Sequence, residues 1–215
     1  MKRTPLVITV AAVLVVAFVV GTLVYQTQKA DTVQVQAHQA LLVRPHAQTA
    51  GPADAKVHIV EFLDPACETC SSFYPFVKRM MAANPGKIRV SVRYAPFHKG
   101  SVEVVKILEA ARKQGKYWET LEALLATQSR WSPNHSPQLD LVWGQLGGLG
   151  LDLTRVRQDM YDPDIARIVE LDIADARALK VTQTPEFFVN GKPMPSFGYE
   201  QLTTLVSDAL ATEYR

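Results

Sequence analysis

Cysteine is nearly missing from this chain, with 2 among 215 residues. Two cysteines build neither a disulfide-dense scaffold nor a four-cysteine zinc site. Charge is also thin. Asp, Glu, Lys and Arg make up 20% of the chain, and the formal net charge is +2, too little to argue for nucleic-acid binding. There is no internal repeat and no low-complexity tract. The hydrophobic content is 47%, which excludes a disordered or collagen-like chain. The small positive excess is uneven. Residues 1–30 hold Lys2, Arg3 and Lys29 and no acid, leaving 20 cations against 21 acids in the remainder.

The uncharged run Leu6–Tyr25 explains that asymmetry. It has 20 residues, of which only Thr9, Gly21 and Thr22 are not apolar. As a helix it spans about 30 Å, the thickness of a bilayer core. Lys2 and Arg3 precede it, so the positive-inside rule keeps the N-terminus cytoplasmic and sends the rest across. A cleavable signal peptide is the rival reading. Its apolar region is shorter and ends at small residues, and Gly21 to Gln26 has no such exit. The expectation is therefore a cytoplasmic foot and single-span anchor over 1–25 and a Gln-rich polar tether over 26–40. A periplasmic or otherwise extracytoplasmic domain follows over 41–215.

Within that domain, Leu41-Leu42-Val43 reads as a short first strand, and Thr49 to Asp54 as a turn-rich entry. Val57 to Leu63 is a nearly continuous apolar run, the pattern of a strand buried on both faces. Asp64-Pro65-Ala66 breaks it. Cys67-Glu68-Thr69-Cys70 then opens a helical stretch that Asn84-Pro85-Gly86 stops. Ile88 to Tyr94 alternates with period two and reads as a second strand, making a parallel βαβ unit. Residues from about 100 to 180 carry helical stripes throughout. Glu186 to Val189 is again a strand, Asn190-Gly191 is a hairpin turn, and Tyr199 to Ala211 is an amphipathic helix.

A CxxC at a strand-to-helix junction suits disulfide exchange. The free N–H groups and partial positive charge of a helix N-terminus stabilise a thiolate on the first cysteine. The second, one turn on, is placed to resolve a mixed disulfide. Cys67 is thus the candidate nucleophile and Cys70 the resolving thiol. Half of a metal site and an inert buried pair remain as alternatives. A zinc site, however, wants a second CxxC or an HxxxH, and the five histidines are scattered. Glu61 reads as either a proton relay to the deeper thiol or a strand-edge acid in a salt bridge.

Together these positions resemble the thioredoxin-fold superfamily, and within it the DsbA-like thiol:disulfide oxidoreductases. The resemblance covers roughly residues 41–215. It rests on the CxxC, on Glu61 six residues before it, on Pro75 five residues after it and on Thr184-Pro185 opening a strand. The fifth mark is the helical insertion, which sets DsbA-like members apart from plain thioredoxins. The resemblance implies an α/β thioredoxin fold with an inserted helical domain. It also implies a cis bond before Pro185 that lets Thr184 and Pro185 hold a polypeptide substrate, and Glu61 as a buried acid serving Cys70.

The implied activity is disulfide formation in protein substrates, with no cofactor and no metal. A membrane redox partner would restore the site, and the chain would act as a monomer. Glu68 and Thr69 replace the Pro-His of the best-known DsbA. They are expected to tune the site toward a milder oxidant, since a carboxylate at residue 68 disfavours a thiolate at 67. Thr184 before the proline resembles the reductase and isomerase branches, so a reductase or isomerase on this scaffold is the nearest alternative. A Cu(I) metallochaperone and a non-catalytic tethered binding module stand further off. Trp118, Trp131, Trp143, Phe73 and Tyr74 are expected in core or groove, His98 at the surface, and Arg155, Arg157, Arg167 and Arg177 on solvated helix faces.

Overall fold

Strand β2 (Val57–Leu63) is buried along its whole length, as a near-continuous apolar run requires. It lies at the centre of a five-stranded sheet of order β1-β3-β2-β4-β5. This architecture comes from a computed structural model that describes residues 38–215. The anchor expected at Leu6–Tyr25 lies outside the described residues. Among the described residues no helix is long and apolar enough to cross a membrane.

β2 pairs in parallel with β3 (Ile88–Tyr94) through helix α1 (Glu68–Ala83), the βαβ unit expected from the hydrophobic pattern. β4 (Glu186–Val189) runs antiparallel to β2 on its other side, and β5 (Lys192–Pro193) pairs with β4. Asn190 and Gly191 connect them with φ of 48° and 82°, two successive left-handed residues as a type I′ hairpin turn demands. β1 (Gln48–Ala50) pairs antiparallel with β3 at one edge.

Between β3 and β4 the chain is helical: α2 (Ser101–Arg112), α3 (Tyr117–Ala126), α4 (Gln128–Trp131), α5 (Leu139–Gln145), α6 (Leu153–Asp159) and α7 (Pro163–Ala178). α7 starts where Asp162 caps the backbone N–H of Asp164 and Pro163 takes the first turn, where its missing N–H costs nothing. α8 (Tyr199–Glu213) closes the chain.

The alternation of the strands divides the core. Val57 and Ile59 of β2 pack with Phe73, Val77, Phe187 and Leu202, beneath α1 and α8. Val60 and Phe62 face the other way, onto Ala176, Leu179 and Phe188. The third cluster joins the end of β2 to the helical segment and contains Leu63, Cys67, Cys70, Leu108 and Trp131.

One expected strand is not formed. Leu41 and Leu42 close a helical turn instead, and the edge strand begins seven residues later, at Gln48. The reason is Arg93. Its side chain is fully buried, and its Nη1 donates to the carbonyls of Leu41 (2.5 Å) and Leu42 (3.0 Å), groups that a helix terminus leaves free. The remaining guanidinium N–H groups reach Asp172 and Asp175 of α7 at 2.9 and 2.6 Å.

Candidate active site

Cys67 is the N-cap of α1, in extended conformation (φ −81°, ψ 117°), and its carbonyl accepts the first helical hydrogen bond, from Ser71. Its Sγ lies 3.2 Å from the Thr184 carbonyl, to which the protonated thiol donates. The Thr184–Pro185 bond is cis, as the resemblance implies. The structure therefore brings Cys67, Cys70, Thr184 and Pro185 to one place from elements more than a hundred residues apart.

The two sulfurs differ in environment. Both are unpaired thiols, Cys67 5% exposed and Cys70 fully buried. The Cys67 thiol is brought down to about 5, first by hydrogen bonding from Cys70, then from the Thr184 side chain and the backbone N–H groups of Cys70 and Thr69, against the opposing effect of burial. Donors converging on a sulfur favour its anion. Cys70 is pushed well up, chiefly by burial and then by its hydrogen bond to Cys67 and the nearby negative charge of Cys67 and Glu61. One sulfur is thus a thiolate at neutral pH and its neighbour a thiol.

Glu61 lies on β2 opposite Val92 and Phe187, 1% exposed, and its Oε1 has no hydrogen-bond partner among the described residues. Burial, and then the charge of Cys67, raise it to about 8. Of the two readings open at the sequence level, the salt bridge is not formed. The carboxyl is buried, unpaired and proton-bearing at neutral pH.

Glu68 and Thr69 lie in the first turn of α1, Glu68 exposed. Thr69 acts on Cys67 through its backbone N–H. The Glu68 carbonyl accepts from the hydroxyls of Ser71 and Ser72. Pro75 lies inside α1.

Three partners of the site were not singled out from sequence. Asp64 is fully buried, and its carboxylate accepts from the backbone N–H of Ala66 and from both the backbone N–H and Nδ1 of His98, all within 2.9 Å. Gln128 Nε2 donates to the carbonyls of Pro65 (2.7 Å) and Cys67 (2.9 Å). His135 stacks on His98 with centroids 4.7 Å apart. Together they pin the loop that delivers Cys67 to its helix. His98, expected as a surface residue, is a part-buried member of this clamp. Only Asp64-Pro65 beside the CxxC hinted at it; Gln128 and His135 carry no motif.

A family model described as thioredoxin matches residues 44–208. The chain belongs to the thioredoxin family. Among solved structures, a thioredoxin-like oxidoreductase from Silicibacter pomeroyi is similar at 27% identity and TM-score 0.69, over 80% of this chain and 96% of that one. The α-DsbA1 of Wolbachia pipientis matches at 19% identity and TM-score 0.70, over 81% and 96%. The fold is thus thioredoxin-like, and it matches DsbA-like neighbours. Among curated relatives, the Na(+)/H(+) antiporter NhaA of Herminiimonas arsenicoxydans is 30% identical over 159 residues, 74% of this chain and 25% of that protein. NhaA 1 of Salinispora arenicola is 33% identical over 165 residues, 75% and 24%. The chain spans about a quarter of the length of the curated relatives it matches.

Proposed function

We propose that this chain is a membrane-anchored, extracytoplasmic thiol:disulfide oxidoreductase that forms disulfides in protein substrates through Cys67 and Cys70. The observation that carries it is the opposed pair of thiols, Cys67 held as an anion at a helix N-terminus and Cys70 buried behind it. Stabilising the reduced thiolate makes the corresponding disulfide the better oxidant.

The electrons balance as follows. A substrate thiolate attacks Sγ of Cys67 in the Cys67–Cys70 disulfide. The S–S bond breaks, and Cys70 leaves and takes a proton, which Glu61 at about 8 carries at neutral pH. A second substrate thiolate attacks the substrate sulfur of the mixed disulfide, and Cys67 leaves as its stabilised thiolate. The substrate has lost two electrons and the enzyme has gained them. A membrane redox partner then reoxidises the dithiol. No cofactor enters the exchange itself. The Thr184 carbonyl, 3.2 Å from Sγ, is an edge group against which an extended substrate pairs as an added strand. Glu68 and Thr69 tune the couple, and the domain acts as a monomer.

Support for the location is the uncharged run Leu6–Tyr25 behind Lys2 and Arg3, together with curated relatives that are named as Na(+)/H(+) antiporters. Ion transport is not carried over, since three quarters of those relatives lies outside the match.

Trapping the thiols in cells with acid and alkylating them after denaturation tests the direction. A predominantly disulfide Cys67–Cys70 pair is the expected result. A predominantly dithiol pair overturns disulfide formation in favour of the reductase or isomerase alternative. For the purified reduced protein, the rate of attack on a model disulfide should be level near neutral pH. It should fall about tenfold per unit once the pH drops below the Cys67 value, which lies at about 5. A fall centred near the ordinary thiol value would remove the thiolate from the mechanism.

A further inference from the structure

The exchange chemistry accounts for Glu61 as seen from the cysteines. It does not account for what lies beyond its carboxyl. A cavity of about 340 Å³ opens there, between β3, α1 and α3. Glu61, Val90 and Val92 of the sheet line it together with the side chains of Tyr74 and Trp118. Lys78 and Glu122 stand at the rim, each about half exposed and joined to the other at 2.8 Å. The volume is in the range of small-molecule sites.

The lining decides what fits. Aliphatic and aromatic side chains dominate it, so an apolar body is favoured. The aromatic side chains of Tyr74 and Trp118 in the lining favour an aromatic one. The two charges at the rim neutralise each other, so an ionic ligand would lose its hydration without a counter-charge. Glu61 lines this cavity, and among the described residues its carboxyl has no hydrogen-bond partner at its buried Oε1.

We propose that this cavity is a binding site for a small neutral aromatic molecule carrying one hydrogen-bond-accepting oxygen, which docks that oxygen on the Glu61 carboxyl. Burial keeps this carboxyl protonated near neutral pH, so it donates to the ligand's oxygen. The ligand then stands between Glu61 and solvent. If the exchange mechanism above holds, an occupied cavity slows proton delivery to Cys70 and so slows turnover, a control exerted from behind the sulfurs. The binding claim itself does not depend on that mechanism.

The test uses the full reduced chain in lipid nanodiscs, labelled with 5-fluorotryptophan and titrated with acetophenone at neutral pH. The three tryptophans give three fluorine signals, and Trp118→Phe assigns the one at the cavity. The expected result is a saturable shift of the Trp118 signal at millimolar acetophenone. α-Methylstyrene, close in shape but with a methylene in place of the carbonyl oxygen, binds about tenfold more weakly, the worth of one hydrogen bond to a buried donor. Glu61→Gln, whose amide also donates, retains acetophenone binding, and Glu61→Leu loses about tenfold. Melting curves establish that each variant is folded. No saturable shift at Trp118 overturns the site. Equal binding of α-methylstyrene and acetophenone, or an unchanged affinity in Glu61→Leu, overturns the role of the carboxyl. Each readout is a binding signal, so failure of disulfide exchange would leave it interpretable.

Discussion

The two faces of the central sheet both bury ionisable side chains, and they treat them in opposite ways. On the α7 face, Arg93 is enclosed with Asp172 and Asp175, and nearly every polar atom has a partner. Asp172 also accepts from the Tyr94 backbone N–H (2.8 Å) and meets His46 (2.6 Å), while Asp175 takes Arg44 through two bonds of 2.7 Å. On the α1 face, Glu61 lies at a comparable depth with Oε1 unpartnered. Desolvated charge survives only when it is paired and hydrogen-bonded. The first face therefore holds ions that fix the fold. The second holds a neutral acid, and the energy that its solvation would have supplied is spent on keeping a proton next to two sulfurs.

The sharpest way to break this comparison is to remove one charge from each face. Arg93→Met leaves two buried carboxylates facing each other and should cost about 3–5 kcal/mol. That is a fall of roughly 6–20 °C in Tm for a domain of this size, read from thermal melts of the reduced protein. Glu61→Gln should do the reverse. Unfolded, Glu61 ionises at its ordinary 4.5, whereas folded it keeps its proton to about 8. A raised carboxyl contributes stability that is whole below the unfolded value and is lost as pH rises to the folded one. The amide escapes that loss, so Glu61→Gln should melt several degrees higher at pH 8 and no higher at pH 4. A Tm that falls at pH 8 would mean that Glu61 is paired in solution.

Smaller effects sharpen the contrast. Gln128→Ala frees the carbonyls of Pro65 and Cys67 on the Glu61 side. It should cost about 1–3 kcal/mol in melts, and it should broaden the pH dependence of Cys67 by loosening its loop. Lys78→Ala, which removes an ion pair half open to water, should change stability by less than about 1 kcal/mol. A loss as large as that of Arg93→Met would show that the rim pair is not a surface pair at all.

The readable parts of this molecule are those in which local pattern and tertiary role agree. Val57 to Leu63 is apolar nearly throughout because both of its faces are covered. The CxxC announces itself at the helix start. Asn190-Gly191 is dictated by the turn. What stayed hidden was decided by partners far away in sequence. Leu41 and Leu42 look like strand residues, and they turn because Arg93, some fifty residues on, needs their carbonyls. Arg93 itself looks like the polar phase of an alternating strand, although that face is also buried. Gln128 reaches the Cys67 loop from the helical segment, and a single glutamine has no spacing to betray it. The family resemblance supplied Pro185 and Glu61, whereas the pairing state of Glu61 required the structure.

The depth of Cys70 also equips the chain with a gauge of its own breathing. With Cys67 5% exposed and Cys70 fully covered, a small thiol reagent labels the folded dithiol form once. A second label is added only when the start of α1 opens. The ratio of doubly to singly labelled protein, followed over time by intact mass, therefore reports the local opening of the active-site helix separately from global unfolding.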